Sequence, residues 1–317
     1  MYTEFTAERY HSGDKLDISA RDFNDHVSVL NIDHPSSDGL YGLQKLEIIG
    51  NYVSASGGKE MDVHGIAMEV ISPTRLPFWL NNHRPSTDPH GTLLDGKKVG
   101  ANSTIEVFEH TRGSTTMEHV RTISHEAVST PNGLLATGDG GLRMLEMLFG
   151  GGSVTYCILS GSCNLAATHG FKFANGITGL FSTSSKNKTQ NQPNGTLFRG
   201  KDIHLGMPVD NLSIDSAGDI FAACFPDVLA LVANMDGPVV EPRREIGSTV
   251  FRIRRISDGM GEGEEEGTIR HVVEKVLEDL EGKVLPGATT AVHDVKTGSI
   301  WLGGVISPFI TVCERLK

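Results

Sequence analysis

The chain reads as an all-β protein of propeller type, and three observations carry that reading. Short runs rich in β-branched and aromatic residues recur along it, most of them bounded by Gly, Asp, Asn or Ser. Its 37 glycines and 13 prolines imply many turns. Its 317 residues are long for one compact core, and four-stranded blades repeated around an axis use chains of this size. No repeat is visible at the level of individual residues.

The strand candidates follow one another in order. "HVSVLNID" gives a strand over 27–32, and "STIEVFEH", "SVTYCILS", "GDIFAACF", "STVFRIRRI" and "GSIWLGGVI" supply others. One segment is ambiguous. "TIRHVVEKVLEDLEG" places Ile269, Val272, Val273, Val276, Leu277 and Leu280 at helical spacing. The competing reading is a strand over 272–277, a turn at Glu281, Gly282 and Lys283, and a hairpin partner in "TTAVHDV". The hairpin is preferred because every neighbouring segment is β. "GMGEGEEEG" and "STSSKNKTQNQPNGT" read as solvated loops. No stretch reads as a linker, so the expectation is one domain over 1–317.

Composition narrows the class. Hydrophobic content of 38% and charged content of 21% fit a soluble globular protein. The net charge is −11, and no basic stripe is present, which argues against nucleic acid as a partner. No apolar run approaches the ~18–20 residues of a membrane span. "MYTEFTAERYHSGDKLD" is polar from its first residues and reads as no signal peptide. Of the four cysteines, Cys157 and Cys163 in "YCILSGSC" can pair across a tight hairpin, whereas Cys224 and Cys313 stand alone. The redox compartment is not fixed by these counts. Glycosylation sequons occur at Asn102, Asn187 and Asn194.

Three stretches place carboxylate or amide groups in apolar settings: "TPNGLL" with Asn132, "FKFANGITG" with Asn175, and "PVDNLSID" with Asp210 and Asn211. Calcium takes six to eight oxygen ligands, and oxygen donors spread along a chain can supply them. Each stretch alone reads equally as a turn, since Asn-Gly at 132–133 and 175–176 is a turn signal. Their joint appearance raises the metal reading. His64 in "MDVHGIAMEV" and His83 in "WLNNHRP" lie beside strand-like residues, and one of them can act as a general base with the other as its partner. For any single histidine among the 13, a structural role is the commoner outcome.

Taken together, these stretches resemble the serum paraoxonase/arylesterase family, in particular its fungal-type members. The matching strings are "HGI" at His64, "NNHRP" at His83, "STIEVF", "TISHEAVSTPN" ending at Asn132, "GFKFANGI", "VDNLSID" with "GDIFAACFP", and "LPGATTAVHD" with "GSIWLGGV". They keep the family order from about residue 27 onward. The resemblance implies a six-bladed β-propeller with a catalytic and a structural calcium ion, acting on lactones or aryl esters. It implies Asn132, Asn175, Asp210 and Asn211 as ligands of the catalytic calcium, His64 as the base and His83 as its helper. It also implies entry into the secretory route.

The departures from the family pattern are specific. The family's adjacent Glu-Asp pair has no counterpart ahead of "VSVLNID", so residues 1–26 match poorly and the first blade is expected to be incomplete. Gly133 follows Asn132 where the family has a structural-calcium Asp. The stretch near 133–141 is shorter than expected, as though a strand were missing there. Cys313 matches a family cysteine whose partner would lie in the absent region. Phe225 stands where paraoxonases carry a pocket-lining histidine, which implies a different substrate preference. Two alternatives stay open: a propeller impaired in catalysis that binds or has lost function, and a strictosidine-synthase-like or gluconolactonase-like propeller.

Overall fold

Alternation of side chains across strands explains where the cores form. The computed structural model describes residues 2–4, 25–33, 35, 37, 41–55, 57–99, 102–146, 152–171, 175–179, 197, 202–227, 229–230, 246–257, 269–304, 307 and 309–315. The chain divides into two units, Met1–Ala174 with Thr183–Leu197, and Asn175–Ser182 with Phe198–Lys317.

In the first unit, β1 (Tyr2–Glu4), β2 (His26–Leu30) and β3 (Leu43–Lys45) form a three-stranded antiparallel sheet. β4 (Glu47–Gly50), β5 (Val63–Met68), β6 (Arg75–Asn82), β7 (Thr104–Thr111) and β8 (Thr116–Ile123) follow, with a one-turn helix α1 (Gly96–Val99) between β6 and β7. β5 to β8 are an antiparallel meander, and β4 adds in parallel along β8. β9 (Pro131–Ala136), β10 (Gly141–Glu146), β11 (Gly152–Ile158) and β12 (Cys163–Phe171) form the next meander.

Side chains on the two faces of β6 and β7 enter different cores, as the period of two requires. Trp79, Ile105 and Val107 pack with Leu134, Leu142 and Met144 of the following sheet. Phe78, Leu80 and Phe108 pack with Val27, Leu46 and Tyr52 on the other side. The β5–β8 meander is thus a layer between its two neighbours in this unit, with β5 beside β9, the first strand of the next meander, as in propeller blades.

In the second unit, β13 (Val209–Ile214), β14 (Ile220–Cys224), β15 (Ser248–Ser257) and β16 (Ile269–Asp279) make a four-stranded meander. β17 (Thr290–His293), β18 (Ile300–Gly303) and β19 (Thr311–Cys313) make a three-stranded one. Phe221 and Val250 pack with Leu285, Ala288, Ala291 and Leu302 to form this unit's core. The all-β expectation holds, with propeller-like meanders in each unit.

Two expectations are corrected by the strand pairing. The segment with helical periodicity is a strand, β16, but it does not form a hairpin with β17. It pairs along its length with β15, and β17 pairs with β18 in the following sheet. The strand expected to be missing near 133–141 is present, since β10 completes a four-stranded sheet. Within the N-terminal segment, β1 pairs with β2. The cysteines of "YCILSGSC" are in register on β11 and β12 and are joined as a disulfide. Asn102 is half-buried, with its amide donating to the Pro85 carbonyl at 3.3 Å. Asn187, Asn194 and both expected solvated loops lie outside the described residues. Among the described residues, no helix is long and apolar enough to cross a membrane.

One polar cluster sits inside the first unit. Glu106, on β7, is fully buried and accepts from Thr104 Oγ1 at 2.6 Å, Thr122 Oγ1 at 2.5 Å, His119 Nε2 at 3.2 Å and Asn82 Nδ2 at 3.5 Å. Burial alone pushes its carboxyl up. The bonds from His119, Thr104 and Thr122 and the charge of His119 outweigh burial and hold it below the ordinary value. A depressed folded pKa gives stability that is full above the unfolded value and is lost as pH falls through the folded one. The Glu106→Gln variant is expected to lose about 1–3 kcal/mol at pH 7 and to lose less than the parent chain between pH 7 and pH 3. Urea midpoints at the two pH values check this, and equal acid losses in both proteins would contradict it.

Candidate active site

Three strands carry the same local irregularity. Between Val63 and Ile66 the register of β5 against β6 shifts, so His64 and Gly65 oppose Asn81 alone. Between Pro131 and Leu134 of β9, Asn132 and Gly133 oppose Leu145. Between Val209 and Leu212 of β13, Asp210 and Asn211 oppose Ala223. Each is a two-against-one β-bulge in the first strand of a meander. Bulges of this kind bend the strand and redirect its side chains. Four of the seven residues singled out from sequence are on these bulges: His64, Asn132, Asp210 and Asn211.

In the first unit, the bulge on β5 brings His64 to His83, which follows the last residue of β6. The imidazole centroids are 5.4 Å apart and the rings meet edge to face at 78°. His83 is held at both ends. Its backbone N–H donates to the Asp62 carbonyl at 2.8 Å. Its Nδ1 lies 3.2 Å from Ser103 Oγ, and that hydroxyl donates its proton to the Ser129 carbonyl at 2.7 Å. With its hydrogen committed, Ser103 receives the Nδ1–H bond. The neutral imidazole of His83 therefore carries its lone pair on Nε2.

Asn132 is buried, 5% exposed, and its carbonyl accepts from the Asn81 side chain. Asn81 escaped the sequence reading, which used "NNHRP" for its histidine. The fully buried amide of Asn81 accepts from the His64 N–H at 3.1 Å and from the Gly65 N–H. It donates to the Pro131 carbonyl at 2.8 Å and the Asn132 carbonyl at 2.7 Å. Asn82 serves the opposite face. Its Oδ1 accepts from the Asp62 N–H at 2.9 Å, and its Nδ2 donates to Tyr52 Oη at 2.9 Å. A polar pair near the end of a strand otherwise apolar was the available signal. Gly65 is required here, because a Cβ would collide with the Asn132 carbonyl oxygen.

In the second unit, the buried Asp210 carboxylate gathers two amides. Its Oδ1 accepts from Asn175 Nδ2 at 2.5 Å and from Asn211 Nδ2 at 3.1 Å. Asn211 is fixed further: its backbone N–H and its Nδ2 both donate to the Thr289 carbonyl, at 3.1 and 2.9 Å. Gly176 lets the 175–179 segment lie against this bulge, where a Cβ would meet the backbone of Asp210, Asn211 and Leu212. Cys224 pairs with Val209 in register. Burial, and then the negative charge of Asp210, push its thiol up to about 12, so it stays protonated at neutral pH. Phe225 is 3% exposed, and its N–H donates to the Pro208 carbonyl at 3.1 Å.

Asn175, Asp210 and Asn211 suit a hard cation. They offer carboxylate and amide oxygens with no sulfur or imidazole, and a half-turn of an Asn side chain exchanges its oxygen and nitrogen. The set has a single carboxylate. Among the described residues, no group of three or more His, Cys, Asp or Glu is gathered for a metal ion.

The chain as a whole is similar to known proteins. A model described as arylesterase matches residues 97–307. The chain is 26% identical over 286 residues to serum paraoxonase/lactonase 3 of Oryctolagus cuniculus, covering 83% of this chain and 70% of that protein. It is 26% identical over 235 residues to serum paraoxonase/lactonase 3 of Mus musculus, covering 67% of this chain and 59% of that protein. Against serum paraoxonase/arylesterase 2 of Rattus norvegicus it is 29% identical over 180 residues, covering 49% of each. The chain thus spans between 49% and 70% of the length of these three relatives. With more than half of its own length matched by that model, the chain belongs to the arylesterase family.

Proposed function

We propose that this chain is a calcium-dependent hydrolase of lactones or aryl esters. The observation that carries the reading is the placement of His64 and of Asp210 with Asn211 on equivalent bulges, in a chain of this family. The single six-bladed propeller over 1–317 is part of the same proposal. So is entry into the secretory route, which the Cys157–Cys163 disulfide supports, since such bonds persist in oxidising compartments.

In this reading Asn175, Asp210 and Asn211 hold the ion, and Asn132 is carried in as a further ligand from the sequence alone. When bound, calcium supplies positive charge that polarises a substrate carbonyl and stabilises a developing oxyanion. His64 takes the proton of the attacking water. His83 stands edge to face with it, is kept in one tautomer by Ser103, and shares the proton through Nε2. Phe225 gives the pocket an apolar wall, which favours aryl or alkyl groups over polar ones.

Phenyl acetate and a panel of γ- and δ-lactones test the chemistry. His64→Gln is expected to lower kcat by about 10²–10⁴ with KM little changed, and Ser103→Ala by about tenfold through loss of the fixed tautomer. A parent chain that hydrolyses none of these with calcium present overturns the reading.

Calcium is tested separately. Melting is compared in excess calcium and in chelator. A ligand at ten times its Kd stabilises the folded state by about 1.4 kcal/mol, so the parent chain is expected to melt higher with calcium. With a single carboxylate in the set, affinity is expected to be weak, and Asp210→Asn should remove the shift. Identical melts of the parent chain in calcium and chelator would sink the calcium half of the proposal.

A further inference from the structure

We propose that Asn81 is a positioning residue that sets the spacing between His64 and Asn132. The proposal rests on the reading of these two residues as base and ligand, and the geometry beneath it stands apart from that reading.

An extra residue in β5 leaves backbone N–H groups that the β6 backbone does not take. Inside a buried sheet such groups need a partner, because an unmet donor there costs about 1–3 kcal/mol. Asn81 is the residue opposite the bulge, and its Oδ1 accepts from both bulge residues, His64 and Gly65. Its Nδ2 spends its two hydrogens on the Pro131 and Asn132 carbonyls at the start of β9. One planar amide thus joins the backbone that carries His64 to the backbone that carries Asn132. Its full complement of bonds fixes its orientation, since turning the amide would set oxygen against two carbonyls and NH2 against two N–H groups. The neighbouring contact allows little slack: Gly65 lies so close to the Asn132 carbonyl that a Cβ has no room.

The other two bulges use different residues. Leu145 and Ala223 stand opposite them, and neither has a side chain able to make these bonds. On β13 the Asn211 N–H is taken by the Thr289 carbonyl directly. The side-chain spacer is therefore tied to the bulge that carries the candidate base.

Asn81→Asp tests the role, because it keeps an acceptor for the bulge and turns the donor into an oxygen facing two carbonyls. Misplacement of a reacting group by about 1 Å costs on the order of 10²-fold. The variant is expected to lose about 10²-fold in kcat on phenyl acetate, with KM within about threefold and a displaced pH profile of kcat. Gly65→Ala, whose Cβ would press on the Asn132 carbonyl oxygen beside the same amide, should do the same. Val107→Ala removes core volume in the same sheet without touching the bulge, and is expected to lower the melting temperature while leaving kcat within about threefold. Amide hydrogen exchange supplies a reading independent of turnover. In the parent chain the His64 and Gly65 amides should be protected like those of the β6–β7 ladder, and in Asn81→Leu, which offers them no acceptor, they alone should exchange faster. Fast exchange at these amides in the parent chain overturns the proposal whether or not the variants fold. So does a kcat loss in Asn81→Asp no larger than in Val107→Ala. If the parent chain turns over no ester, the hydrolase reading falls, and the exchange result still decides what Asn81 does.

Discussion

A half-buried first strand with one residue too many must find partners for the N–H groups that its neighbour no longer meets. That constraint organises both candidate clusters. On β5 the solution is the Asn81 amide, which accepts the two loose donors and passes the connection to the carbonyls of β9. On β13 it is the Thr289 carbonyl, which takes both the backbone and the side-chain donor of Asn211. In each case the bonds that repair the ladder also fix the redirected side chains. A regular strand would send His64 and Gly65, or Asp210 and Asn211, to opposite faces. The bulge frees them from that alternation, and the repair holds them in their new direction.

Much of this was legible from sequence, and the limits have physical causes. The strands were visible because β-branched and aromatic runs between turn residues have few other uses. The segment ending at Asp279 shows how far periodicity reaches. Its spacing fits a helix, yet Val272 and Val273 are exposed and the strand runs 11 residues beside β15. Sequence assigned its type by context and then chose the wrong partner. The turn at Glu281, Gly282 and Lys283 suggests a hairpin, whereas the chain there crosses from one meander to the next. Type is a local property of composition, but partnership depends on which layer has an edge to offer.

The bulges were harder to see. An adjacent polar pair interrupts an apolar strand at Asp210 and Asn211, and the same pattern occurs at Asn81 and Asn82. In both places the pair marks a spot where the ladder is broken or repaired. The two asparagines on β6 turn to opposite faces, one to the bulge and one to Tyr52 and Glu106. No composition rule assigns those roles, because each depends on a carbonyl or hydroxyl far away in sequence.

Two buried carboxylates show how the same group is put to different uses. Glu106 has about four lone-pair sites, and Thr104, Asn82, Thr122 and His119 supply four donors. Two are hydroxyls and one is an imidazole, all well suited to stay as donors. Such a carboxylate is saturated, its proton is held off by its neighbours, and it has no capacity left for a ligand. Asp210 is approached instead by Asn175 and Asn211, whose side chains each carry an oxygen on the same carbon as the nitrogen. A cation brought to Asp210 would find amide oxygens within a side-chain rotation, whereas at Glu106 four donors already occupy the carboxylate and the one amide among them has its oxygen engaged by the Asp62 N–H. Burial is shared by both sites. What separates a structural carboxylate from a candidate ligand here is how its surroundings are committed: two asparagine amides gather at Asp210, and four converging donors saturate Glu106.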